Sequence, residues 1–278
     1  MLKEYLKNVR DSHPLIHNIT NYVTVNDVAN ILLACGASPI MADELEEAEE
    51  ITSICNGLNI NIGTLNSRTI PAMLAAGKKA EELGHALLLD PVGAGASRLR
   101  TDTALKLMEN IQFDVIRGNI SEIKTLAKHG GHTKGVDADA SDEVREDNLA
   151  QAISFIQTFA EETGSIIAVT GAIDIVANKT IAYVIQNGRA EMGRITGTGC
   201  QLSGLMTAFL AANRENSLEA AATAVSVMGI AGEIGWNHMK PEDGNSTYRN
   251  RIIDAVYHMD GDTLERMAKI KKIENKKN

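Results

Sequence analysis

At 278 residues the chain is long enough for one large α/β domain or two ordinary ones, and a 44% hydrophobic content supplies a substantial core. Aromatic residues are only 4%, with Trp236 the single tryptophan, which argues against base- or sugar-stacking surfaces and for a compact small-molecule site. A net charge of −9 points away from nucleic acid and from anionic membranes, so any phosphate must be held by local groups.

The first residues, 1–7, are too charged for a secretory signal, and no apolar run reaches the ~18 residues that span a bilayer, so a soluble protein is expected. Short aliphatic or β-branched runs at 15–16, 38–40, 57–62, 86–89, 115–116, 166–169 and 173–176 read as strands. Helical patterns cover 25–35, 69–83, 103–110, 121–128, 148–163, 201–212 and 218–236. Their alternation predicts βαβ units and a single α/β domain over 1–278, with a largely parallel central sheet and helices on both faces. Runs at 181–185 and 190–192 flank Gln186-Asn187-Gly188, an Asn-Gly hairpin signal. Cys35, Cys55 and Cys200 are odd in number and widely spaced, which supports neither a disulfide framework nor a zinc site and fits a reducing cytoplasm. The polar 129–147 segment reads as a surface loop or flap. Its His129 and His132 are taken as solvated, because no third ligand has suitable spacing. The lysine-rich 269–278 stretch, within a basic tail over 265–278, reads as a helix fraying into solvent.

In parallel sheets ligands collect beyond the carboxyl ends of the strands. There Asp90 leads into a loop carrying Gly93 and Gly95, Arg117 precedes Asn119-Ile120-Ser121-Glu122, and Thr170-Gly171 is followed by Asp174. Gly197-Thr198-Gly199-Cys200 then opens a helix with Leu202, Leu205, Met206, Phe209 and Leu210 on its apolar face. Backbone N–H groups of Gly197, Thr198 and Gly199 at the positive end of that helix form an anion hole, with Cys200 at its mouth. Each element has an ordinary reading as a turn former, a helix-start carboxylate, an ion-pair partner or a hinge. Together they supply what phosphoryl transfer needs: carboxylates for Mg²⁺, a cation and backbone donors for phosphate, and a positioned acceptor. A free thiol has a pKa of ~8.5 and a helix start lowers it, so Cys200 is expected to accept a proton while assisting more than driving a loose transition state. The Lys179-Thr180 pair lacks the second glycine and spacing of a Walker A loop, and the 93–98 segment lacks the third glycine of a dinucleotide fingerprint.

Gly197-Thr198-Gly199-Cys200, Asn119-Ile120-Ser121-Glu122, Leu89-Asp90-Pro91-Val92-Gly93-Ala94-Gly95 and Pro14-Leu15-Ile16-His17-Asn18-Ile19-Thr20-Asn21 together resemble the hydroxyethylthiazole kinase family, over nearly the whole chain. The resemblance implies a ribokinase-like fold without a separate lid domain. It also implies ATP- and Mg²⁺-dependent phosphorylation of the primary alcohol of 4-methyl-5-(2-hydroxyethyl)thiazole, a thiamine salvage step. By the same resemblance Arg117 and Thr170 contact ATP, Asp90 and Glu122 organise Mg²⁺ and phosphates, and Met41 and Gly197 contact the thiazole. Cys200 stands where most ribokinase-like kinases have an aspartate base, and homotrimers with sites between subunits are implied. The alternatives are a kinase of the hydroxymethylpyrimidine or pyridoxal type, an ATP-dependent NAD(P)H-hydrate dehydratase, and a non-catalytic nucleotide sensor. The His17–Asn21 opening favours the thiazole.

Overall fold

The computed structural model describes residues 2–130 and 143–274; His132 and most of the 129–147 segment lie outside them. An amphipathic helix, Leu2–Ser12 (α1), buries Leu2, Leu6 and Val9 and leads into Leu15–Ile19 (β1). The chain then alternates through Val25–Cys35 (α2), Ser38–Met41 (β2), Leu45–Ile54 (α3), Gly57–Asn61 (β3), Thr69–Glu82 (α4), Ala86–Asp90 (β4), Arg98–Asn110 (α5) and Val115–Gly118 (β5). Ile120–His129 (α6) and Leu149–Thr163 (α7) precede Ile166–Val169 (β6), Asp174–Ala177 (β7) and Ile181–Ile185 (β8). Thr198–Ala212 (α8), Ser217–Asn237 (α9), Asn245–His258 (α10), Gly261–Met267 (α11) and Ile270–Glu274 (β9) complete the described chain.

All nine strands among the described residues belong to one sheet, in the order β2-β1-β3-β4-β5-β6-β7-β8-β9. The first six are parallel and the last three antiparallel. One core cluster joins the sheet to α1, α2, α8, α9 and α10, and a second packs α4 to α7 on the other face. Because β1 sends the chain outward to β2 and receives it back as β3 on its other side, the strand order reverses there. Such a switch point leaves a crevice at the carboxyl ends of the strands.

Several elements differ from the sequence reading. Residues 190–192, expected as a return strand, lie in a 3₁₀ turn, Ala190–Arg194. Asn187 is drawn away from hairpin geometry by tertiary bonds: its Oδ1 accepts from Lys269 N (2.7 Å) and its Nδ2 donates to Met267 O (3.0 Å). The tail expected as a helix supplies β9, paired antiparallel with β8, and residues 275–278 lie outside the described part. Lys271 and Lys272 are exposed on this edge strand, where lysines discourage further strand pairing. Helix α8 starts three residues earlier than the periodicity indicates and is buried all round from Cys200 to Leu210, not amphipathic. The stretch Arg214–Asn237 has the length and mean hydropathy (1.2) of a bilayer span, yet 83% of that window is buried in this core.

Candidate active site

The register between β3 and β4 sets Asn61 opposite Asp90 at the carboxyl ends of both strands. Asp90 is fully buried. Its Oδ2 accepts from Asn61 Nδ2 and from Ser203 Oγ, both at 2.7 Å, and lies 3.6 Å from Arg117 Nη1. Its Oδ1 has no partner among the described residues. Loss of solvent pushes the Asp90 carboxyl up to about 6, against the opposing pull of Arg117, Ser203 and Asn61. Arg117, at the tip of β5, is held from the other side, with Nη2 donating to Thr170 Oγ1 at 2.5 Å. Thr170 belongs to a turn fixed by Asp174, whose Oδ1 accepts from Gly171 N at 2.9 Å.

The glycines before α8 bring backbone to the same point. Gly197 has φ +85° and no side chain caps the helix, so the first-turn N–H groups of Thr198, Gly199 and Cys200 stay open to an anion. A Cβ on Gly199 would sit 2.6 Å from Arg117 Nη1, so the guanidinium packs directly on the helix start. Cys200 Sγ accepts from Asn21 Nδ2 (3.1 Å) and Asn61 Nδ2 (3.3 Å). Against the expectation of a lowered thiol pKa, burial, and then the nearby Asp90 charge, raise it above its ordinary value. The resting group is a thiol, with two amide donors aimed at its sulfur.

Glu122 makes a capping box. Its Oε2 accepts from Asn119 N (2.8 Å) while Asn119 Oδ1 accepts from Glu122 N (2.8 Å). Its Oε1 accepts from Gly93 N (2.8 Å), so the carboxylate clamps the loop after Asp90 to the start of α6. Glu122→Gln is expected to reduce activity and to cost about 1–2 kcal/mol of stability, because the amide nitrogen cannot accept one of these N–H bonds. Thermal melting beside a rate measurement checks this; an unchanged melting temperature would mean that the clamp contributes nothing.

A cleft of about 750 Å³ is lined by Arg117, Thr170, Asp174, Thr198 and Gly199. A second cavity of about 150 Å³, beside β1, is lined by Asn18, Thr20, Met41 and Met73 among others. Gly199 in the first wall is followed by Cys200 and Thr20 in the second by Asn21, and the Asn21–Cys200 bond ties these two chain segments together, although neither Asn21 nor Cys200 lines either cavity. Met41 therefore lies in the small cavity. Gly197 lines neither, and packs instead against Thr24 at the start of α2. Its added Cβ would meet Thr24 Cγ2 at 2.3 Å. Gly197→Ala is expected to cost at least ~1–2 kcal/mol from the left-handed backbone alone and to displace the start of α8. A melting curve close to wild type would contradict that.

The donors fit an oxyanion and a hydrated cation. The helix start and Arg117 offer N–H groups, and the orphaned Asp90 Oδ1 is a free oxygen ligand. Among the described residues no three His, Cys, Asp or Glu side chains cluster as a metal cage, but Mg²⁺ needs only one or two carboxylates beside water and phosphate. Sequence reasoning missed Asn21, Asn61 and Ser203. Asn21 ends the opening motif and Asn61 ends a strand, which is the positional signal that could have found them.

Residues 6–262 match the family model described as the hydroxyethylthiazole kinase family. The chain belongs to the hydroxyethylthiazole kinase family. The hydroxyethylthiazole kinase of Clostridium acetobutylicum is 61% identical over 97% of this chain and 98% of that protein. The structure of hydroxyethylthiazole kinase from Pyrococcus horikoshii superposes with a TM-score of 0.87 at 35% identity, covering 98% of this chain and 99% of the other. With the pyridoxal kinase of Staphylococcus aureus only the fold is shared, at a TM-score of 0.63 and 14% identity over 93% and 98% of the two chains. The ribokinase-like architecture expected of the family is thus present in this hydroxyethylthiazole kinase family member.

Proposed function

We propose that this chain transfers the γ-phosphoryl group of ATP to the primary alcohol of 4-methyl-5-(2-hydroxyethyl)thiazole, a salvage step toward thiamine. The observation that carries this reading is that Arg117 and the open start of α8 line a nucleotide-sized cleft, with Asp90 3.6 Å from Arg117 and Cys200 bonded to Asn21, the chain neighbour of Thr20 in the wall of a one-ring cavity. Arg117, steadied by Thr170, and the open N–H groups of Thr198 and Gly199 hold phosphate oxygens in place. Asp90 and Glu122 would hold Mg²⁺ through its water shell, and the bound ion would offset charge on the β- and γ-phosphates. The alcohol oxygen forms the new bond to phosphorus as the bond to the β-phosphate oxygen breaks, and its proton leaves late. Cys200 Sγ, once deprotonated, accepts that proton, and the Asn21 and Asn61 amides donate to the sulfur and stabilise its charge.

A homotrimer with sites completed between subunits is supported by Tyr22, which lines the small cavity, and by Val23; the two are 76% and 59% exposed in the single chain. Three free, buried cysteines suit a reducing cytoplasm. A coupled assay of ATP turnover with the thiazole alcohol, hydroxymethylpyrimidine and pyridoxal tests the reading, and preference for either of the latter would refute it. Light scattering at three times the monomer mass is expected alongside.

A further inference from the structure

Thr20, in the wall of the small cavity beside β1, carries a buried hydroxyl that no described residue satisfies. Val25, Met41, Ala42 and Met73 make that wall largely apolar. The amides in the wall are already committed: Asn18 Nδ2 donates to Ile16 O (2.9 Å) and its Oδ1 accepts from Asn59 (3.0 Å), while Asn66 Oδ1 accepts from Arg68 N (2.9 Å) and Thr69 N (3.1 Å). The Thr69 hydroxyl donates to Asn66 O (3.3 Å), and Thr64 Oγ1 accepts from Tyr22 N (3.2 Å). Among the described residues of this wall, only Thr20 Oγ1 is a buried side-chain atom without any hydrogen-bond partner. Native proteins seldom leave such a group unpaired, because its desolvation is then uncompensated.

We infer that Thr20 is a specificity-determining residue for the acceptor alcohol, its hydroxyl donating to the ring nitrogen of a five-membered heteroaromatic alcohol. This inference rests on the kinase reading above. Donation is the sense that fits, because a thiazole nitrogen is an acceptor and the ring has no N–H to give. The two methionines supply polarizable contacts for the ring and its sulfur. Position in the chain agrees: Thr20 immediately precedes Asn21, which bonds Cys200 Sγ. A cavity of about 150 Å³ admits one small ring.

The test compares the thiazole alcohol with its thiophene isostere, in which C–H replaces the ring nitrogen. Wild type is expected to favour the thiazole by about tenfold in kcat/KM, as one neutral hydrogen bond allows. In Thr20→Val that preference collapses through a raised thiazole KM, with kcat and the ATP KM unchanged, and Thr20→Ser keeps it. A Thr20→Val enzyme with its preference intact, a Thr20→Ser enzyme that loses it, or a wild type that phosphorylates both alcohols equally overturns the role of Thr20 and leaves the kinase reading standing. A wild type that phosphorylates neither alcohol overturns both.

Discussion

Cys200→Ala is expected to lower kcat by roughly 10²–10⁴, the range of a lost general base, while the ATP KM stays nearly unchanged. The sulfur accepts two amide N–H bonds and directly follows Gly199 in the wall of the large cleft, whereas the phosphate-holding groups are the backbone of α8 and Arg117, which the substitution leaves in place. Burial and Asp90 raise the thiol, so the proton-accepting form is scarce at neutral pH and the wild-type rate should climb as pH rises. Cys200→Asp should restore activity and shift that dependence to lower pH, because a carboxyl, even raised by the same burial and Asp90 charge, ionises well below a thiol. If Cys200→Ala keeps the wild-type kcat and only the thiazole KM moves, the thiol is a pocket wall.

Asp90→Asn is the second large effect, with kcat reduced on the order of 10²-fold or more, as expected when a charge is removed from a preorganised, water-excluded site. Arg117 loses the carboxylate 3.6 Å away and the free Oδ1 disappears as an oxygen ligand. The same substitution should change how stability responds to pH. The folded carboxyl is raised from 3.8 to about 6, so the stability gained by holding its proton is full below about pH 4 and lost as pH rises through 6. In the ligand-free protein, wild type should therefore lose melting temperature relative to Asp90→Asn between pH 4 and 7. The gap corresponds to ~2–3 kcal/mol at most. Parallel melting curves over that range would show that Asp90 titrates normally. A variant that is more stable near neutrality and less active fits a site where charge is kept buried for function.

Strand tips carried most of what was legible beforehand. Asp90, Arg117 and Thr170 end or directly follow aliphatic runs, and the run-then-polar pattern located them in one crevice without any contact information. Gly197 and Gly199, a pattern common in ordinary turns, marked an open anion-binding helix start only in conjunction with those strand tips. Asn21 and Asn61 left only a positional signal, the end of a motif and of a strand, and Ser203 left none, because uncharged polar residues occur everywhere and only the β3–β4 register and the packing of α8 on the sheet turn them into a hydrogen-bonded cluster. The Asn187-Gly188 turn and the lysine-rich tail misled because both depend on partners distant in sequence. Asn187 bonds backbone beyond residue 260, and 270–274 becomes a strand only because β8 presents a free edge. Glu122 was placed correctly at a helix start, but its bond to Gly93 N, which makes it a clamp, spans 29 residues and left no local trace.

The most direct test of the two-compartment site is a structure of the protein with the thiazole alcohol and a non-hydrolysable ATP analogue. The alcohol should occupy the cavity beside Met41 and Thr20 with its hydroxyl within hydrogen-bond distance of Cys200 Sγ, and the triphosphate should lie over the first turn of α8 against Arg117. An alcohol bound outside that cavity, or a hydroxyl turned away from both Cys200 and the γ-phosphate, would contradict the account.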